Sequence, residues 1–250
     1  MLKTAIIAAR AAGEILRRHF GSSLEVDETT RFDVKLRVDK LCEEAIVSIL
    51  RQAFPAHAVL AEERGSEGDS SHTWIVDPLD GTVNFFYGIP HFSTSIALSL
   101  EGRMEIGVVY DPLRDELFAC ERGRGATLNG RPLRVSAVRE PEDAVVAVGF
   151  MKDDRTVSRG LRALSSTIHR VRKVRCMGSA ALDLAYVAAG RFTAYYEAGI
   201  RTWDIAAGEA LLLEAGGRFS SVETGPHTHN VFASNGLVHE ALAPGFPLNP

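Results

Sequence analysis

Apolar residues recur at helical spacing from the first position. In MLKTAIIAARAAGEILRRHF, Ile6, Ala9, Ile15 and Leu16 share one face, which predicts a helix over residues 2–20 ending at Gly21. Arg10 and Glu14 break the apolar run, so the segment reads as a core helix rather than a secretory signal. A second helical pattern covers 39–54, with Leu41, Ala45, Ile49 and Phe54 expected on the buried face and Pro55 as the stop. Short apolar runs predict strands at 58–61 and 73–77, the latter stopping at Pro78. Between 92 and 119 three strand-like runs follow one another, with a turn at Glu101-Gly102, and Asn129-Gly130 makes a further turn. This half reads as helices on a mainly antiparallel sheet.

From Pro141 onward the pattern changes to alternating strand and helix. DAVVAVGF reads as a buried strand, 155–168 as a helix, VRKVRCMG as a strand, 179–189 as a helix ending at Gly190, and 192–197 as a strand. A helix at 205–215 ends at Gly216-Gly217. The connection near 136–142 is too short to separate independent domains. The chain is therefore expected to form one domain over 1–250, with subdomains of about 1–138 and 139–250.

Composition narrows the classes of function. A net charge of −4, with no Lys/Arg run that would track a nucleic-acid backbone, argues against nucleic acid as a partner. No apolar stretch reaches the roughly 18 residues of a membrane span, so no membrane partner is expected. Cys42, Cys120 and Cys176 lie far apart with no CxxC or zinc spacing, which suggests reduced thiols and a cytoplasmic location.

Three segments carry candidate chemistry. In Trp74-Ile-Val-Asp77-Pro78-Leu79-Asp80-Gly81-Thr82, an apolar strand delivers two carboxylates to its end, and Gly81 and Thr82 open a short helix whose amides suit a phosphate. Asp-Pro and Asp-Gly are also common turn pairs. Glu62-Glu63-Arg64 follows another apolar strand and is either a ligand pair or a solvated loop. Trp203-Asp204 precedes a helix, where Asp is also a favoured N-cap. His227-Thr-His229 has chelating spacing but reads as a solvated turn, and Phe85-Phe86 as core or pocket wall.

In order and separation, EE…WIVDPLDGT…WDIAAGEALLLEAGG resembles the inositol monophosphatase family, and the likeness runs from about Asp33 to Val238. The resemblance implies a layered αβαβα sandwich of the α/β (α+β) class, usually a homodimer. It implies hydrolysis of a small phosphorylated metabolite with two or three Mg2+ ions. Glu62, Asp77, Asp80, Asp204 and the Leu79 carbonyl would be the metal ligands, and an all-oxygen set selects a hard cation. Thr82 and Asp39 would orient the attacking water, although Asp39 also suits the cap of its helix. The phosphate would lie on the Gly81 and Thr82 amides. Ser179, Ala180 and Glu197 would meet the alcohol part, Glu197 being equally an exposed strand-end charge. DGTVNF points to inositol-1-phosphate, while histidinol phosphate and fructose-1,6-bisphosphate share the same metal motifs. A protein-binding role with the transcription machinery is the alternative of another class. Relatives often carry Lys and Thr where this chain has Glu28 and Val38. Lys35 or Arg37 would then replace the missing charge near a third ion.

Overall fold

Two sheets carry the chain, and helices cover every broad face of them. The computed structural model describes residues 1–22, 24, 26–29, 34–150 and 153–249. Helix α1 (Leu2–His19) leads to a small antiparallel ribbon, β1 (Val26–Thr29) and β2 (Val34–Leu36), and then to helix α2 (Arg37–Ala53). Strands β3 (Ala58–Ala61), β4 (Gly65–Glu67) and β5 (His72–Asp80) follow, then the short helix α3 (Thr82–Phe86). Strands β6 (Ser93–Leu100), β7 (Arg103–Asp111), β8 (Glu116–Glu121), β9 (Ala126–Leu128) and β10 (Arg131–Pro132) complete the first sheet. The rest of the chain is β11 (Val145–Val148), α4 (Asp154–Thr167), β12 (Lys173–Arg175), α5 (Ala180–Ala188), β13 (Ala194–Arg201), α6 (Thr202–Glu214), β14 (Arg218–Gly225), β15 (Thr228–Ser234) and α7 (His239–Leu242).

The first sheet has the order β10-β9-β8-β7-β6-β5-β3-β4 and is antiparallel except where β3 runs parallel to β5. The second has the order β12-β11-β13-β15-β14, with β11 parallel to both its neighbours. Helices α1 and α2 cover the outer face of the first sheet, where Ala5, Ala8, Ala9 and Ala12 pack over Trp74, Ile96, Leu98 and Val108. Small residues along α1 let the helix lie close to the strands. Helices α5 and α6 fill the space between the sheets. Leu182, Leu184, Ala207 and Leu211 meet Ile75, Ala97 and Phe118 of the first sheet and Tyr195, Val231 and Ala233 of the second. Beyond the second sheet, Val146, Tyr196 and Phe232 pack on Ala163, Leu242 and Phe246. The layers are thus αβαβα. A sheet covered on both faces accounts for strands that read as unbroken apolar runs. A helix enclosed by two sheets accounts for the apolar character of α6 on all sides.

The structure corrects three expectations. The buried face of α2 is not the one through Leu41, Ala45 and Ile49: Leu41 is exposed, and Val38, Cys42, Ile46 and Leu50 point inward, with Asp39 and Glu43 beside them. Strand β5 does not stop at Pro78 but continues to Asp80. His229 is half-buried rather than solvated, its Nε2 lying 3.0 Å from the Thr202 hydroxyl. The expectations placed on Asp33 and on the side chains of Glu28 and Lys35 fall outside the described residues. Arg37 is exposed and Val38 is buried.

His239 ties the end of the chain to the second sheet. Its Nδ1 and Nε2 lie 2.9 and 3.0 Å from the hydroxyls of Ser234 and Ser220, and its ring packs 4.6 Å from that of Phe232. Burial, helped by the charge of Arg218, pushes its pKa down to about 4 from 6.5. The unfolded chain therefore takes up a proton first as the pH drops. The stability that neutral His239 contributes is complete above pH 6.5 and is lost toward pH 4. His239→Gln should cost about 1–3 kcal/mol near neutral pH. Its deficit against wild type in thermal melts should shrink steadily toward pH 4, and a deficit that does not change with pH would refute this role.

Candidate active site

The site begins with a bulge in β5. Asp77 faces Ser95 and Asp80 faces Ser93, so β5 holds one residue more than β6 between these pairs. Proline fits there because it has no N–H to leave unmet. The Pro78 carbonyl accepts the Thr94 hydroxyl at 3.0 Å, and the Leu79 N–H donates to Asp77 Oδ1 at 3.0 Å. The Leu79 carbonyl then accepts the Thr82 hydroxyl at 2.9 Å. Gly81 turns the chain with φ +92°, and a Cβ there would come within 3.1 Å of the carbonyl oxygens of Gly178 and His91. Helix α3 starts at once, and its Asn84 donates to the His91 and Met177 carbonyls at 2.8 and 2.9 Å. This amide is the physical content of the Asn in the DGTVNF segment: it fastens α3 to the turn before α5.

Helix α5 begins against Asp80. The Ser179 hydroxyl and the Ala180 and Ala181 amides all donate to the Asp80 carboxylate, the amides at 3.1 and 2.8 Å. In this arrangement Ser179 and Ala180 hold Asp80 at the start of a helix, where a negative charge is favoured. Asp204 and Asp39 occupy equivalent places in α6 and α2. Each is the third residue of its helix rather than the N-cap, and each accepts the N–H of the residue before the helix, Arg201 at 3.2 Å and Leu36 at 2.9 Å. Glu62 follows β3, and its N–H donates to the Val76 carbonyl at 3.2 Å, extending the pairing of β3 with β5 by one residue.

These elements surround a cavity of about 690 Å3. Glu62, Asp77, Leu79, Asp80, Gly81, Thr82, Ser179, Ala180, Glu197 and Asp204 all line it. Asp39 is buried but is not part of the lining. Burial, and then the charges of Glu62, Asp80 and Asp204, hold the Asp77 carboxyl well above its usual range. Asp204 is raised by burial and then by Glu62 and Asp80. Asp80 is pushed up to about 6 by burial, against the lowering pull of Ser179 and the α5 amides. Glu197 is pushed up to about 7 by burial, although the Tyr195 hydroxyl donates to it at 2.6 Å.

Sequence reading had not singled out several residues here. Tyr195 orients Glu197 from two positions along the same strand face, a period-two signal visible in AYYEAG. Gly149 lies so close that a Cβ would stand 1.8 Å from Glu197 Oε2. Asp183, Phe150, Asp153 and Arg201 also line the cavity. No local motif marks these residues, because they converge only when the second sheet forms.

The donor set fits a hard divalent cation. It consists of the carboxylates of Glu62, Asp77, Asp80 and Asp204 with the Leu79 carbonyl, all oxygen and all mutually repelling when ionised. Arg64 does not line the cavity. Its Nε–H donates to Glu43 at 2.8 Å, so it is paired outside the carboxylate group.

Comparison with known proteins agrees with this fold. The inositol monophosphatase family pattern matches residues 1–246. The chain is 43% identical over 246 residues to the protein named Nus factor SuhB of Pasteurella multocida (strain Pm70), covering 96% of this chain and 91% of that one. It is 42% identical over 251 residues to Nus factor SuhB of Escherichia coli (strain K12), covering 97% and 94%. Among solved structures, the extragenic suppressor protein suhB of Bartonella henselae superposes with a TM-score of 0.91 at 40% identity, covering 98% and 97% of the two chains. The inositol monophosphatase of Anabaena (Nostoc) sp. PCC 7120 superposes with a TM-score of 0.87 at 39% identity, covering 98% and 94%. With an αβαβα fold, a bulged DPLDGT strand and a match over nearly its whole length, the chain belongs to the inositol monophosphatase family.

Proposed function

We propose that the protein is a magnesium-dependent phosphatase of small metabolites, with inositol-1-phosphate as the first candidate substrate. The observation that carries this reading is the convergence of four carboxylates and a strand-end carbonyl on one cavity beside the Gly81–Thr82 turn. Glu62, Asp77, Leu79, Asp80 and Asp204 would hold the ions, two or three in number. Bound there, magnesium would neutralise charge on the transferring phosphoryl group and favour ionisation of the attacking water. Thr82 would orient that water, with Asp39 read as its partner. The Gly81 and Thr82 amides receive the phosphate. Glu197, held by Tyr195, accepts hydroxyls of the leaving alcohol, and Ser179 and Ala180 border the same alcohol while fixing Asp80. Histidinol phosphate and fructose-1,6-bisphosphate are the alternative substrates. We further read the protein as a cytoplasmic homodimer. Exposed Tyr87 and Ile89 beyond α3 suit a covered face, and among the described residues no helix is long and apolar enough to cross a membrane.

A regulatory role is a second reading, favoured by the name Nus factor given to the relatives. One surface feature supports it. Arg170, Arg172, Lys173 and Arg175 are exposed together on and before β12, at the edge of the second sheet, although the sequence had been read as having no basic run. Such a strip suits an acidic partner.

Phosphate release from inositol-1-phosphate, fructose-1,6-bisphosphate, histidinol phosphate and 3′-phosphoadenosine 5′-phosphate, with and without magnesium, tests the enzymatic reading. Magnesium-dependent release that Asp80→Asn abolishes is expected. Absence of release from all four would sink it and leave the regulatory role, which Asp80→Asn protein should retain.

Asp77→Asn should stabilise the magnesium-free protein near neutral pH. The amide keeps an acceptor for the Leu79 N–H and removes one of the crowded charges. Relief of about 1–2 kcal/mol corresponds to roughly 2–8 °C in Tm. Because the folded pKa of Asp77 lies above 3.8, the carboxylate's cost is present at neutral pH and vanishes as the pH falls to 3.8, and so should the gain. The same variant should lose the rise in Tm that magnesium gives wild type. A magnesium-induced rise equal to that of wild type would contradict the ligand role.

Gly149→Ala should displace the Glu197 carboxylate by steric contact. Steady-state kinetics should show KM raised about tenfold with kcat largely kept, the pattern of lost substrate binding. An unchanged KM would remove Glu197 from the alcohol site.

A further inference from the structure

Helix α2 buries a second carboxylate one turn beyond Asp39. Glu43 is only 2% exposed, and the i, i+4 spacing puts the two acids on one face of the helix. Its Oε2 accepts the Glu63 N–H at 2.8 Å, and its Oε1 accepts the Arg64 Nε–H at 2.8 Å. The Arg64 side chain is 24% exposed and also approaches Glu67 at 4.0 Å. Glu62 therefore sits between two anchors. Its own N–H is held by the Val76 carbonyl of β5, and the N–H of the next residue is held by α2. The nearest guanidinium in the sequence is meanwhile drawn toward Glu43 and kept out of the cavity lining.

We propose that Glu43 is a positioning residue for Glu62. It fastens the turn that carries Glu62 to the helix that carries Asp39, and it holds the Arg64 cation away from the cavity carboxylates. The inference rests on the reading of these carboxylates as a cation site. A small, hard cation demands near-ideal ligand placement, and residues behind the ligands commonly change metal affinity by about 10–100-fold. Without Glu43, the Glu63 N–H loses its acceptor on α2. The released guanidinium then has Glu62 and Glu63 as the carboxylates adjacent to it in sequence, and it competes with the cation for them. A residue that merely stapled the fold would lower the melting temperature and leave the affinity of the remaining folded protein for magnesium untouched.

Magnesium titration by calorimetry, without substrate, separates the two roles, alongside hydrogen exchange of segment 61–65 in magnesium-free protein. Glu43→Ala should bind magnesium at least about tenfold more weakly. It should also exchange the Glu63 amide faster, while kcat at saturating magnesium stays close to wild type. If the lone Arg64 charge prevents folding, Glu43→Ala/Arg64→Ala removes both charges together. It should still bind magnesium about tenfold more weakly, because the Glu63 amide has lost its acceptor. A folded variant that melts lower yet binds magnesium like wild type overturns the proposal. A wild-type protein that takes up no magnesium overturns instead the cation-site reading beneath it, so the two failures are distinguishable.

Discussion

Crowded negative charge inside a closed fold is the constraint around which the site is organised. Asp77, Asp80, Glu197 and Asp204 line one cavity, and each is pushed toward its neutral form by burial. An arrangement of that kind is unfavourable for folding unless something rewards it. The chain supplies part of the compensation with backbone. Three donors from the start of α5 hold Asp80, the N–H preceding α6 holds Asp204, and the bulge amide of Leu79 holds Asp77. What remains uncompensated is the charge that the proposed cation would neutralise.

The layered architecture is what allows such precision. Each acidic residue stands at the end of an element whose other side chains are locked in an apolar core. Asp77 and Asp80 end a strand covered on both faces, and Asp204 and Asp39 begin helices packed against sheets. A side chain at the junction of rigid elements has few rotamers to lose when a ligand arrives, so binding meets a smaller entropic cost. Glu197 follows the same logic on the second sheet, with Tyr195 beside it and the bare backbone of Gly149 leaving room.

Much of this could be read from the chain before folding was considered, and the exceptions have physical causes. DPLDGT and WDIAAG carry their chemistry locally, since strand end, turn and helix start are consecutive residues. Helix α2 was read in the wrong phase because only apolar positions were counted toward its buried face. The true face mixes Val38, Cys42, Ile46 and Leu50 with Asp39 and Glu43, and the two buried acids lower its apolar content. Pro78 was read as the end of a strand because proline breaks ladders. Here the extra residue of a bulge places it where no N–H is called for. The N-cap alternative for Asp204 arises because capping residues and third-position acids both cluster at helix starts, although they satisfy different amides of the first turn. Gly149 and Asp183 reach the cavity through contacts between distant segments, which no spacing along the chain announces.

The placement of α5 and α6 between the sheets has a consequence for how the protein is made. Every strand of the first sheet has been synthesised once β10 is complete, yet the helices that cover its inner face end only at Glu214. At about 5–20 residues per second, the apolar face of a nearly finished sheet waits several seconds for its cover. During that interval the nascent chain offers Ile75, Ala97 and Phe118 to whatever is nearby. Synthesis speed between β10 and α6 therefore sets how long that face waits for its cover.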